Sequence, residues 1–112
     1  MIRLTVLYNL KPHVDEEEFL RWRLTDHQEE NLAIPGVIRT DFCRVDQRWP
    51  QEMEAPYRFM ATLDWPDRES FEEGFYDDSV QSGLKENLEL LSDPVFLISE
   101  ILTEGSKEID HL

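Results

Sequence analysis

The order of strand-like and helical segments along the chain restricts its fold more than any other feature. Runs with strand character cover residues 2–9, 37–46, 57–65 and 95–103. The last three runs each follow a proline, and helical periodicity lies between the first and second runs and between the third and fourth. The order β-α-β-β-α-β predicts an α+β fold of the ferredoxin-like kind, with a four-stranded antiparallel sheet.

Each predicted helical region begins with an aspartate that can cap its first turn. Asp15 is the predicted N-cap of a helix that runs to about Ala33 and ends before Pro35, and Asp67 is the N-cap of the second region. Residues 77–79 are predicted to interrupt that second region. An apolar stripe at helical spacing follows the interruption, formed by Val80, Leu84, Leu88 and Leu91.

The length of 112 residues corresponds to a single domain, which we expect to span residues 1–104, with a polar tail over residues 105–112. No apolar run approaches the roughly 20 residues that cross a bilayer, so the sequence predicts no membrane segment. The single cysteine, Cys43, excludes an internal disulfide and a cysteine-based zinc site. We therefore expect a protein of the reducing cytoplasm.

The charge of the chain limits its partners. The 25 acidic residues outnumber the 11 basic residues and give a formal net charge of -14 at pH 7. Such a surface repels phosphate groups, so we expect neither nucleic acid nor an anionic membrane as a partner. A solvated acidic coat and a docking surface for a basic partner both fit this charge.

One face of the predicted sheet carries more large apolar residues than a face in contact with water should. The helices of this topology cover one face only, and strand alternation places these residues on the other: Leu7, Ile38, Phe42, Met60, Phe96, Ile98 and Leu102. No further segment of the chain is left to cover them. A second copy related by a two-fold axis presents the same face, so we predict a homodimer in the form of an α+β barrel.

Three polar residues fall within the apolar stripe of the first predicted helix. At about 100° per residue, Arg23, His27 and Asn31 lie on the same side of the helix as Phe19 and Leu24. Burying a polar group is costly unless it finds a partner. The spacing therefore predicts either internal hydrogen bonds, as in an ordinary core, or a pocket with converging polar groups.

The strand face opposite this helix is predicted to complete the pocket. Strand alternation places several aromatic residues and one acid on it: Tyr8, Asp41, Tyr57, Phe59 and Trp65. An acid in the middle of a strand is costly unless it is paired, and Arg23 or Arg39 could pair with Asp41. Plain core packing is the alternative interpretation of the aromatic residues, and it fits Phe59 best.

In the pocket interpretation, His27 transfers protons, Arg23 holds an anion, and Tyr8 or Asp41 orients the imidazole. The candidate catalytic residues are Tyr8, Arg23 and His27, and the candidate substrate-binding residues are Trp22, Asn31, Asp41, Tyr57, Phe59 and Trp65. The sequence contains no glycine-rich phosphate loop and no dinucleotide fingerprint, and its histidines lack metal-ligand spacing. It therefore supports neither a cofactor nor a metal.

The first part of the chain resembles a known family. The segment IRLTVLY at residues 2–8 precedes a proline-containing turn, His27 follows Phe19 by eight residues, and Pro-Gly-Val occupies residues 35–37. Over about the first 40 residues this pattern resembles the dimeric α+β barrel proteins of the EthD type. Two positions depart from that type, because Arg23 stands in place of an aromatic residue and Glu29 in place of a proline.

A narrower likeness involves the pairs Trp22-Arg23 and His27-Gln28 together with residues 35–36. This combination is similar to the REDY-like proteins of prodiginine pigment clusters. The resemblance implies a homodimer with a small-molecule pocket between helices and sheet, in the secondary metabolism of a prodiginine, aromatic or polyketide-type intermediate. Relatives of this architecture include cofactor-free monooxygenases, polyketide cyclases and proteins without proven activity.

Two functions of different classes stay open. The first is an enzyme that acts on an apolar or aromatic metabolite, with His27 as general acid or base and with Arg23 and Tyr8 orienting the substrate. The second is a carrier that holds a hydrophobic biosynthetic intermediate in the same pocket without chemistry.

Overall fold

The sheet is built around the first strand, in which apolar residues alternate with polar ones. The computed structural model describes residues 1–107 and contains the strands β1 (Ile2–Leu10), β2 (Arg39–Arg44), β3 (Phe59–Trp65) and β4 (Leu91–Glu100). The strand order across the sheet is β2-β3-β1-β4, and all neighbouring strands are antiparallel. The predicted ferredoxin-like α+β topology is thereby confirmed.

Four α-helices pack on one face of this sheet. They are α1 (Glu16–Leu24), α2 (Asp26–Leu32), α3 (Arg68–Phe75) and α4 (Asp78–Asn87), and a short 3-10 turn at Leu88–Leu90 connects α4 to β4. Asp15, Asp67 and Asp77 each accept a hydrogen bond from the first turn of the helix that follows them. The two predicted caps and the predicted interruption at residues 77–79 are therefore confirmed.

The core lies between the helices and the central strands. Its buried apolar side chains are Ile2, Leu4, Val6, Tyr8, Phe19, Phe59, Ala61, Leu63, Trp65 and Phe71. Along β1 and β3 these residues recur at every second position, so a single face of the sheet packs against the helices. Within residues 1–107, no helix has the length and apolar character that crossing a membrane requires.

The first predicted helix is divided into α1 and α2 at Thr25. This residue has backbone angles of φ -115° and ψ -91°, and its hydroxyl donates a hydrogen bond of 2.6 Å to the carbonyl of Arg21. A threonine hydroxyl that bonds the preceding turn competes with the regular helical ladder. As a result Leu24, which the continuous helix would bury, is 59% exposed.

The prediction that Asp41 faces the helices is wrong. Thr40 and Phe42 lie on the helix-facing side, opposite buried residues of β3, and Asp41 lies on the open face of the sheet. The reason is an irregular approach to the strand: Ile38 and Arg39 are both exposed, whereas Thr40 is buried. Because Ile38 and the first residue of β2, Arg39, both point outward, the alternation along β2 is shifted by one residue.

In β4, Phe96 and Ile98 also lie on the helix-facing side, opposite Val6 and Leu4. The prediction that these two residues and Phe42 lie on the open face is therefore wrong. All four residues from 95 to 98 are apolar, so alternation alone does not distinguish the two faces. The register is set instead by a bulge in the pairing with β1, close to Asp93, which adopts a φ of 51°.

The open face of the sheet is nevertheless apolar at several positions, which are Leu7, Ile38, Met60, Val95 and Leu97. Leu102 lies beyond the end of β4 and is exposed. Residues 101–107 have no regular secondary structure, and the last five residues of the predicted tail 105–112 lie outside the described residues.

We expect Gly74→Ala to destabilise the fold because a Cβ at this position in α3 would lie 2.0 Å from the carbonyl oxygen of Pro35. That carbonyl accepts a hydrogen bond of 2.9 Å from the Trp65 indole. The free energy of unfolding should fall by about 1–3 kcal/mol, the typical cost of overpacking. Gly83→Ala in α4 is the control: a Cβ there meets nothing within 4 Å, so stability should rise by about 0.5–1 kcal/mol. Urea denaturation measures both, and equal stabilities would contradict the packing described.

Candidate functional site

A cavity of about 260 Å³ lies between the sheet and the helices. Residues of β1, α1, α2, α4 and the start of β4 form its walls, and most of them are apolar. The lining also includes side chains with polar atoms: Tyr8, Trp22, Arg23, His27, Glu30, Asn31, Ser79 and Asn87. A mainly apolar cavity with a few converging polar groups has the character of a small-molecule site.

Arg23 is the most unusual residue of this lining because it is only 2% exposed. Its Nη1 donates a hydrogen bond of 2.8 Å to the side-chain oxygen of Gln28, and its guanidinium carbon lies 4.2 Å from the centre of the Phe42 ring. Its Nη2 makes no hydrogen bond of normal length and angle within residues 1–107, although the Tyr8 hydroxyl is close enough to the guanidinium to interact with it. Burial lowers the pKa of Arg23 from its ordinary value, yet an arginine stays charged in proteins.

Gln28 connects Arg23 to the sheet. While its oxygen accepts from Arg23, its amide nitrogen donates a hydrogen bond of 3.3 Å to the backbone carbonyl of Thr40 in β2. The break at Thr25 separates the two helices that carry Arg23 and Gln28. The guanidinium is thus held by a neutral amide on one side and an aromatic face on the other.

Tyr8 is buried beside Arg23, near the end of β1. Its ring packs against Phe19 and Phe59, with centroids 6.1 and 5.7 Å away. Burial raises the pKa of Tyr8 to about 12, although the positive charge of Arg23 acts in the opposite direction. The phenol is therefore neutral near pH 7, and its hydroxyl can donate a hydrogen bond to a ligand.

His27 stacks on Trp22, with ring centroids 4.3 Å apart and planes 22° from parallel. Its Nδ1 lies 3.2 Å from a carboxylate oxygen of Glu30. Burial lowers the pKa of His27, and the carboxylate of Glu30 opposes this shift. Near neutral pH the imidazole is uncharged, and the acid on Nδ1 favours the tautomer whose Nε2 carries the lone pair.

The structure brings together five of the nine predicted site residues in the cavity lining: Tyr8, Trp22, Arg23, His27 and Asn31. The other four are elsewhere. Asp41 pairs with Arg39 at 2.9 Å on the open face, and Tyr57 is half-buried in the irregular segment before β3. Phe59 and Trp65 are fully buried core residues outside the lining.

A family model described as REDY-like protein HapK matches residues 2–102 of this sequence. The chain belongs to the REDY-like HapK family. The expected resemblance is confirmed, and no curated protein matches the sequence.

Solved structures share the fold of this REDY-like chain. HapK from Hahella chejuensis is 17% identical, with 96% of this chain and 99% of that chain covered and a TM-score of 0.70. An EthD family protein from Bacillus halodurans is 22% identical, with coverages of 91% and 99% and a TM-score of 0.70.

Two further structures are similar at the level of the fold. A dimeric ferredoxin-like protein from Thermobifida fusca is 17% identical, with 89% of this chain and 90% of that chain covered and a TM-score of 0.68. A mutant of SnoaB, a cofactor-independent oxygenase from Streptomyces nogalater, is 13% identical, with coverages of 92% and 94% and a TM-score of 0.66.

Sequence reasoning missed four polar residues that line the cavity or support it, which are Gln28, Glu30, Ser79 and Asn87. Glu30, not Tyr8 or Asp41, contacts the imidazole of His27, and its spacing of three residues along the helix was a usable signal. Asn87 lies three residues after Leu84 in the apolar stripe of α4, so its position also matched the spacing. Gln28 carried no such signal, because it meets Arg23 only through the break at Thr25. Within residues 1–107, no group of three His, Cys, Asp or Glu side chains could hold a metal ion.

We expect His27 of this REDY-like chain to titrate at a lower pKa in the folded protein than in the denatured protein, because burial disfavours the imidazolium. The unfolded state then binds more protons below its own pKa. The His27 contribution to stability is therefore complete above that value and is lost as the pH falls. Glu30→Gln should lower the pKa of His27 further. NMR titration of the ring protons measures both, and a His27 pKa above the denatured value would contradict this environment.

Proposed function

We propose that this protein binds a small apolar or aromatic metabolite of secondary metabolism in the cavity and acts on it by proton transfer through His27. The observation that carries the proposal is the unpartnered Nη2 of Arg23 in the same apolar cavity as a neutral imidazole. A buried cation with an unused donor costs several kcal/mol unless another group completes its bonding. A bound ligand with a hydrogen-bond acceptor is such a group.

The chemistry rests on His27 and Glu30. A neutral imidazole accepts a proton at Nε2, and the carboxylate on Nδ1 stabilises the imidazolium that forms. Arg23 and the neutral hydroxyl of Tyr8 are suited to hold an oxygen atom of the ligand on which negative charge develops. None of these steps needs a cofactor.

Secondary metabolism is supported by membership of the REDY-like family and by the fold shared with SnoaB, a cofactor-independent oxygenase. A prodiginine or aromatic polyketide-type intermediate is the ligand that the sequence resemblance implies. The aromatic lining, with Phe19, Trp22, Phe75 and Phe96, suits a planar ring system. The single cysteine, which excludes an internal disulfide, supports a location in the reducing cytoplasm.

A carrier is the second candidate, and the mainly apolar lining of the cavity favours it. A carrier would use Arg23 and Tyr8 to hold the ligand and would not need His27 to exchange a proton. Loss of the imidazole should therefore abolish the activity of an enzyme and leave the function of a carrier intact.

We expect His27→Gln and His27→Ala to abolish product formation while the protein stays folded, because both remove the proton acceptor. The measurement is product recovery in a deletion strain of the source organism that carries each variant. His13→Gln, which changes an exposed histidine outside the cavity, is the matched control and should restore production fully.

Full rescue by both His27 variants would contradict proton transfer. Native mass spectrometry of the wild-type protein from the same organism separates the carrier from the enzyme. A retained ligand together with full rescue by the His27 variants would establish the carrier.

We also propose that the protein forms a homodimer through the open face of the sheet. Leu7, Met60, Val95 and Leu97 share this face, and Leu97 is 51% exposed in the single chain. Each large apolar side chain gains about 1.5–3 kcal/mol from complete burial. The protein from Thermobifida fusca, which shares the fold, is dimeric and supports the proposal of a dimer, without indicating which face forms the contact.

We expect Leu97→Asp to dissociate the dimer because a carboxylate would then be buried in the contact between the two sheets. Leu32→Asp introduces the same charge at an exposed leucine of α2 and should leave the dimer intact. Sedimentation equilibrium at micromolar concentration measures the mass. A wild-type mass close to 13.3 kDa would contradict the dimer.

A further inference from the structure

We infer that the ligand of the cavity is a planar ring compound bound as a phenolate or enolate, with its charged oxygen on Nη2 of Arg23. This inference rests on the proposed function, since it specifies the class of ligand for the same cavity. Three features of the described residues carry it: the charge balance around Arg23, its unpartnered Nη2, and the composition of the lining.

The charge of Arg23 has no counter-ion within residues 1–107. Its neighbours are the neutral amide of Gln28, the ring of Phe42 and the phenol of Tyr8. The acid of the lining, Glu30, contacts His27, and its side chain is 63% exposed, so water screens its charge. A protein with a net charge of -14 thus contains an uncompensated buried cation. An anionic ligand neutralises this cation, whereas a neutral ligand leaves it unpaired.

The unpartnered nitrogen of Arg23 and the neutral imidazole of His27 together favour an anion that forms inside the cavity. Gln28 accepts one hydrogen bond from Nη1, and Nη2 is the buried nitrogen without a partner. A carboxylic acid is already ionised near pH 7, whereas a phenol or an enol enters in its neutral form and can give its proton to His27. The site therefore fits a phenolate or an enolate, whose single charged oxygen satisfies Nη2, better than a carboxylate.

The lining suits the ring that must carry such an oxygen. Trp22, Phe75 and Phe96 contribute aromatic surface, and the volume of about 260 Å³ limits the ligand to a small ring system. His27 can receive the proton when the neutral form enters: the ligand O–H bond breaks, an N–H bond forms on the imidazole, and the oxygen keeps the electron pair. The anion then remains on Arg23.

The test uses three probes of similar shape: 4-nitrophenol, its neutral methyl ether 4-nitroanisole, and 4-nitrobenzoate. We expect 4-nitrophenol to bind as the phenolate, with its pKa lowered by about one unit or more, since a nearby opposite charge shifts a pKa by one to three units. The colour of the phenolate reports this shift directly. One unit means that the phenolate binds about tenfold more tightly than the phenol.

Variants assign the effect to Arg23. Arg23→Met should abolish the pKa shift of bound 4-nitrophenol, Arg23→Lys should retain part of it, and His27→Gln should retain most of it because the anchor is unchanged. If the Met variant does not fold, the comparison of the three probes on the wild-type protein decides the question. There the phenolate should bind most tightly, then the benzoate, then the ether.

Equal affinity for 4-nitrophenol and 4-nitroanisole would overturn the inference while the cavity remained a binding site. Absence of phenolate binding, or tighter binding of the benzoate, would also overturn it. Failure of the proposed function looks different, because full rescue by His27→Gln in the deletion strain leaves the anion preference of Arg23 unchanged.

Discussion

The guanidinium of Arg23 is the group on which the organisation of the site depends. It lies among core residues and contacts the side-chain amide of Gln28 and the aromatic face of Phe42. Within residues 1–107, no acidic side chain pairs with it. Such a group is costly to bury, and a fold of this size has little stability to spare. The local structure around the guanidinium stabilises it in this buried position. The Thr25 break brings Gln28 to Nη1, and Gln28 in turn bonds to the backbone of β2.

The buried charge of Arg23 also connects the sheet, through Tyr8 of β1, to the chemistry that the cavity can support. Tyr8 lies where the pairing of β1 with β4 shifts its register, beside the bulge at Asp93. Burial keeps the Tyr8 phenol neutral and the His27 imidazole uncharged, so these two neutral groups share the cavity with the cation of Arg23. This combination holds an anion and can also exchange a proton with its neutral form.

The fold and half of the site follow from periodicity in the sequence. Alternation in β1 and β3 and the aspartate caps identify the elements, and the stripe of Arg23, His27 and Asn31 identifies one wall of the cavity. The incorrect predictions concern strands in which the alternation of apolar and polar residues is interrupted or in which successive residues are all apolar. Asp41 was assigned to the wrong face because two successive outward residues, Ile38 and Arg39, occur where β2 begins. In β4, consecutive apolar residues do not indicate which side faces the helices. A bulge sets the register instead, and a bulge depends on pairing between strands, which the sequence pattern of one strand does not contain.

The decisive measurement is a crystal structure of the protein purified from its own organism, because it shows which group accepts a hydrogen bond from Nη2 of Arg23. We expect a ligand in the cavity, with a single oxygen within about 3 Å of Nη2, the usual length of such a hydrogen bond. The ring of the ligand should lie against the aromatic lining near Trp22. A cavity without a ligand, in which Nη2 donates to a carbonyl or carboxylate of the protein itself, would show that Arg23 is not a ligand-binding group.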